Sequence, residues 1–125
     1  MEPATKFFYV ASPYRKYFGG IEMAASVAAR LCAELVDRGV EVYSPIVLSH
    51  EYARFSKIDP MDARWLIIGR PIMAAAAGII VLKMPGWDIS TGIAGEVIWF
   101  RDRGRPIYHL DVPLPDTLHG DLKCR

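Results

Sequence analysis

Several things are scarce in this chain of 125 residues, and each shortage narrows what it can do. Cysteine occurs twice, as Cys32 and Cys124, and Cys32 lies among Leu31, Ala33 and Leu35. A small apolar-face thiol and a tail thiol make neither a disulfide framework nor a thiolate metal site. The three histidines do not cluster with acids at ligand spacing, so no metal or other cofactor is implied. Charge of one sign is missing as well: fifteen Lys and Arg against fourteen Asp and Glu leave a formal +1. That offers no broad field for a nucleic acid polymer or an anionic membrane, but leaves room for a small phosphate-bearing ligand held by one loop. No apolar run approaches the ~20 residues of a membrane span, and the start of the chain, with Glu2, lacks a signal-peptide pattern. Repeats and linkers are absent too. The expectation is one cytoplasmic domain over residues 1–125, with 111–125 as an irregular tail.

What the chain does contain is an alternation of strand-like and helix-like segments. KFFYVAS (6–12) and IIVLK (79–83) are continuous apolar runs of the kind buried on both faces of a parallel sheet. VEVYS (40–44) and PIYHL (106–110) read as two further strands. Ile21, Ala24, Ala28, Leu31 and Leu35 recur at helical spacing and stop at Gly39. A second helix starts at Asp59 as cap with Pro60 in its first position, and Pro71 should kink or divide it. A third runs from about Gly92 to Arg103, while 45–58 reads as loop with a short helical turn. The fold class is therefore α/β: a three-layer, flavodoxin- or Rossmann-like sandwich with a parallel sheet of four to five strands and helices on both faces. Ligands of such sheets bind beyond the carboxyl ends of the strands, which directs attention to Ser12–Arg15, Ser44–His50, Met84–Glu96 and His109–Asp111.

One of these stretches holds an anomaly. Glu96 is the only acid in STGIAGEVIWF (90–100), a run otherwise small or apolar. The position three before it is Ile93, so no capping box forms. The positions three and four away are Trp99, Phe100, Ile93 and Gly92, so no helical ion pair forms either. A carboxylate in such surroundings feels two opposed effects, burial raising its pKa and the helix N-terminus lowering it. Just before it, Ser90, Thr91 and Gly92 mark a helix start, where free N–H groups favour an anion. The plainer alternative is that Thr91 is a cap and the glycine part of a turn. The six-residue span from Ser90 to Glu96 matches, in rough length, a ribose 5′-phosphate reaching back from its anomeric carbon.

With these residues placed, the chain resembles the nucleoside 2-deoxyribosyltransferase superfamily, including the 2′-deoxynucleoside 5′-phosphate N-hydrolases, and within it a small bacterial and phage branch. The resemblance rests on Tyr-Val-Ala-Ser-Pro-Tyr at 9–14, Ser-Pro-Ile at 44–46 with Ser-His at 49–50, Gly-Trp-Asp-x-Ser-x-Gly-x-x-x-Glu at 86–96, and Gly104-Arg-Pro. It implies that Glu96 is a nucleophile forming a glycosyl-enzyme, with Tyr9 lining the sugar site beside it. It also implies that Asp62 is the acid protonating the leaving base, and that Ser12, Arg15, His50, Asp88, Ser90 and Gly92 bind substrate. Serine at position 90, where the transferases carry an aspartate, favours a nucleoside 5′-monophosphate over a free nucleoside. The partners implied are a small nucleotide or nucleoside and further copies of the chain, as a homodimer or homotetramer.

Plain alternatives stand beside these roles. Asp62 doubles as a helix-start charge, Arg15 as a solvated loop base, His50 as a surface-turn residue and Asp88 as a turn cap. Ala77-Gly78 stands where relatives often carry an aspartate, and His109 has no role to inherit. Three functions follow as expectations: hydrolysis of a nucleoside 5′-monophosphate, base exchange between nucleosides, or nucleotide binding without catalysis.

Overall fold

The computed structural model describes residues 6–118. Four strands, β1 (Phe8–Ala11), β2 (Val42–Tyr43), β3 (Gly78–Leu82) and β4 (Ile107–Leu110), form one sheet in the order β2-β1-β3-β4. All three pairings are parallel, with Phe8 opposite Val42 and Gly78, and Ile79 opposite Ile107. Four helices accompany them: α1 (Gly20–Asp37), α2 (Pro45–Ala53), α3 (Arg64–Ala75) and α4 (Thr91–Asp102). The expected α/β sandwich is thus present, with four strands.

The period-two alternation of side chains sorts the sheet into two cores. Phe8, Val10, Ile80 and Leu82 face one way and meet Ala28, Leu31 and Leu35 of α1. Tyr9, Ala11, Ile79 and Val81 face the other way and meet Ile93 and Phe100 of α4, with Ile72 and Met73 of α3 alongside. This parity positions the site, because it turns Tyr9 toward α4 and its ring against Phe100, centroids 5.8 Å apart. Gly78 opens β3 where no side chain fits: a Cβ there would lie 2.5 Å from the carbonyl oxygen of Pro106.

Local chemistry moves several element boundaries from their expected places. Residues 45–53 are a full helix, not a loop: Ser44 Oγ accepts the Val47 N–H at 3.1 Å, and Pro45 occupies the first turn, where its missing N–H costs nothing. Asp59 does not start α3. Its Oδ1 accepts the Met61 N–H at 2.8 Å, and Asp62 repeats the motif with the Arg64 N–H at 2.9 Å. Two successive aspartate turns compete with helix formation and delay it to Arg64. Pro71 does not divide α3, which continues through it to Ala75. The Ile67 carbonyl that loses its intrahelical partner belongs to an exposed residue, where solvent can meet it.

Cys32 is only half-buried, and burial pushes its thiol up to about 11. Cys124 lies outside the described residues. Within the tail, 111–118 carry no helix or strand, yet Leu114 and Leu118 are buried in the α1-side core. An Arg38 guanidinium hydrogen bond to the Pro115 carbonyl ties this segment to the end of α1. Among the described residues no helix is long and apolar enough to cross a membrane.

Candidate active site

A cleft of about 680 Å³ opens at the carboxyl end of the sheet, on its α4 side. Five residues of α4 line it: Thr91 at its start, and Gly92, Gly95, Glu96 and Trp99 at the spacing of one helix face. Opposite stand the β1–α1 loop with Tyr14 and Arg15, the start of α2 with Pro45 and Ile46, and α3 with its preceding turns. Ser90 sets the direction of α4: its Oγ accepts the Ile93 N–H at 3.2 Å, so Ser90, not Thr91, is the cap. That leaves the amide N–H groups of Thr91 and Gly92 at the cleft without partners inside the helix.

Tyr9 and Glu96 meet at the base of this cleft. The Tyr9 hydroxyl donates a hydrogen bond to Glu96 Oε2. Glu96 as a residue keeps some exposure, but its carboxyl group is well enclosed, and the loss of solvent pushes its pKa up to about 7. The Tyr9 hydrogen bond acts in the opposite direction and is the weaker effect. Burial was foreseen as the raising influence on this carboxylate; the Tyr9 hydrogen bond opposes it and was not foreseen. Tyr9 itself is 7% exposed, and burial, with the Glu96 charge next, holds its hydroxyl proton far above the ordinary tyrosine range. Tyr9 is therefore a fixed donor, and Glu96 a carboxylate divided between its two protonation states near neutrality.

Five of the nine residues singled out from sequence line the cleft: Tyr9, Arg15, Asp62, Gly92 and Glu96. Two of those five are otherwise engaged. Arg15 donates to the Met61 carbonyl at 2.8 Å, linking the β1–α1 loop to the turns before α3. Asp62 forms a 3.0 Å ion pair with Arg64, whose hydrogen bonds lower its pKa to about 2. Arg64 thus holds it as the anion, and this pairing would have to open for Asp62 to serve as the expected acid.

The other four lie off the cleft wall. Ser12 is 2% exposed and follows the parity of Phe8 and Val10, which turns it toward the α1 layer; its Oγ has no hydrogen-bond partner among the described residues. His50 is neither a surface-turn residue nor a wall residue: it is buried behind Tyr14 and touches the hydroxyl of that residue at 2.7 Å. Asp88 is exposed on the short 3-10 turn Trp87–Ile89, and Ser90 is taken up by capping. His109 packs against Trp87, ring centroids 5.4 Å apart. Tyr14, Trp65 and Trp99 are wall residues that went unassigned, although Tyr14 stands inside the quoted 9–14 motif.

Fold and cleft together define the class: a parallel α/β protein with a tyrosine-held carboxylate in a cleft at the carboxyl end of its sheet. The chain belongs to the family described as domain of unknown function DUF1937, which it matches over residues 6–111. No curated protein matches it.

Proposed function

We propose that the protein is an N-glycosidase of the nucleoside 2-deoxyribosyltransferase type, cleaving base from sugar in a nucleoside 5′-monophosphate. The observation that carries this reading is the Tyr9–Glu96 pair, an enclosed carboxylate held by a buried hydroxyl at the base of a cleft. In the ionised state Glu96 attacks the anomeric carbon, and the Tyr9 hydrogen bond fixes which oxygen stays turned away. A glycosyl ester forms as the C–N bond breaks, and water then hydrolyses the ester with retention. The walls suit the rest of such a substrate. Trp65 and Trp99 line the cleft as aromatic neighbours for a planar base, with one face of Trp99 covered by the Arg103 guanidinium 3.8 Å from its ring centroid. The free amides of Thr91 and Gly92, at the N-terminus of α4, suit a phosphate.

The glycines of α4 point the same way. A Cβ at Gly92 would meet only ordinary contact at 3.8 Å, and at Gly95 nothing within 4 Å. Protein packing thus requires neither glycine, and each weakens the helix. Their bare backbone keeps the cleft wall open to a ligand.

Homo-oligomerisation belongs to the same reading. α3 exposes Leu66, Ile67 and Ile68, and α4 exposes Ile98; of these, Leu66 lines the cleft. A second copy seated on Leu66 would narrow the cleft entrance. Sedimentation velocity is expected to show a species larger than the 14.0 kDa monomer.

The test is a panel of nucleoside 5′-monophosphates scored for free base, with Glu96→Gln as control. Release by the wild type that falls by several orders of magnitude in the variant supports the reading. Release that survives the substitution would falsify it. One observation, Asp62 locked in its ion pair, favours a second reading, a nucleotide-binding module without turnover. Saturable nucleotide binding by calorimetry with no base release over hours would establish that alternative.

A further inference from the structure

One polar group of the cleft has no part in the reading so far, and it is connected to the surface. The hydroxyl of Tyr14, a wall residue, lies 2.7 Å from Nδ1 of His50, with the two rings edge to face, 5.7 Å between centroids. His50, on the last turn of α2, is only 8% exposed. Its other nitrogen, Nε2, lies 3.3 Å from Oε2 of Glu22 on the first turn of α1, an approach without hydrogen-bond geometry. The Glu22 side chain is 80% exposed. Three groups from three segments therefore form a line from the cleft to solvent.

The other ionisable side chains of the wall are committed elsewhere. The Tyr9 proton is held by Glu96, and Arg15 is bonded to Met61. Asp62 is an anion paired with Arg64, and Arg70 carries a guanidinium that does not give up its proton. A purine or pyrimidine leaves readily only when protonated, so the reaction needs an acid that none of these supplies.

Resting on the glycosidase reading above, we propose that Tyr14 is the acid that protonates the departing base and that His50 is the positioning residue behind it. As a Glu96 oxygen bonds to the anomeric carbon, the C–N bonding pair leaves on the base and the Tyr14 hydroxyl proton moves to it. With His50 in the form that carries a proton on Nδ1, that N–H donates a hydrogen bond to the phenolate oxygen thus formed. In the second half, water bonds to the anomeric carbon, the ester pair returns to Glu96, and the proton lost by the water restores the Tyr14 hydroxyl. Nothing is consumed beyond substrate and water.

The experiment compares two leaving groups on one sugar phosphate: the best natural base, and 4-nitrophenolate, which departs without a proton. Tyr14→Phe is expected to slow base release by about 100-fold or more while changing nitrophenolate release by less than about 5-fold. His50→Gln is expected to show the same selectivity at smaller size, and to carry the test if Tyr14→Phe does not fold. Equal slowing of both leaving groups, in a variant whose melting temperature matches the wild type, would make Tyr14 only a wall and overturn the proposal. Wild-type protein that releases neither leaving group would instead overturn the glycosidase reading, and this proposal with it.

Discussion

Tyr9 and Glu96 stand 87 positions apart in the chain and share one hydrogen bond. The sheet brings them together: the parity of β1 turns Tyr9 toward α4, and the helical register of α4 turns Glu96 back toward β1. The pair sets a conflict between stability and use. Enclosure favours the neutral acid, whereas nucleophilic attack needs the anion.

That conflict is measurable as a pH-dependent gap in stability. Glu96 has its pKa raised from 4.5 to about 7, so protonation favours the folded state. Below pH 4.5 the acid is neutral in both states and carries no penalty. As pH rises to 7 the folded state loses stability, by on the order of 3 kcal/mol. Glu96→Gln has no such titration. Its melting temperature is expected to match the wild type near pH 4 and to exceed it increasingly up to about pH 7.5, by calorimetry. A gap that is constant with pH would contradict the enclosed carboxylate.

Tyr9→Phe removes the one bond that holds the Glu96 pKa down. Under the glycosidase reading, kcat/KM rises with pH as Glu96 ionises, with a limb near 7 in the wild type. The limb is expected to move to higher pH in the variant. At pH 7 the rate is expected to fall roughly 10- to 100-fold, the worth of a hydrogen bond to a charged group. A limb that stays in place would separate the two residues.

Gly95→Ala puts a methyl group where the structure has open space on a helix face. The fold is expected to gain about 0.5–1 kcal/mol in urea unfolding, from helix propensity alone. The same methyl stands on the cleft wall, so KM for the substrate is expected to rise. Stabilisation without any effect on binding would mean that the bare stretch of α4 serves no ligand.

Ser90→Asp separates capping from anion binding. Aspartate caps as well as serine, so melting should change little. A new negative charge beside the amides of Thr91 and Gly92 should weaken inorganic phosphate or nucleoside monophosphate binding at least tenfold by calorimetry, more at low salt. Unchanged binding would place the phosphate elsewhere.

The layers and the Glu96 anomaly were legible in the chain itself, and for the same reason. A run such as Ile79–Leu82 has one economical use, a strand buried on both faces, and a lone carboxylate among small and apolar residues has few bland ones. What escaped was set by competition between local options. Ser44-Pro45 both ends a strand and begins a helix, and α2 came from the second use. Asp59 and Asp62 can cap a helix or close a turn, and here both close turns. The wall of the cleft was the least legible part, because it depends on where each side chain points after folding. Ser12 and Tyr14 are two residues apart, yet one is buried toward α1 and the other faces the cleft. His50 showed its composition but not its partner, since Tyr14 lies 36 positions away.

The short irregular segment after β4 carries a consequence for how this domain should be handled. The family match ends at residue 111, but Leu114 and Leu118 lie beyond it and fill the core beneath α1. Homology and folding therefore draw the boundary in different places. A chain trimmed to the edge of the match would retain every residue of the cleft and still lose two buried leucines from the α1-side core. Such a fragment should aggregate before it could be judged inactive, and an assay on it would report on solubility while seeming to report on chemistry.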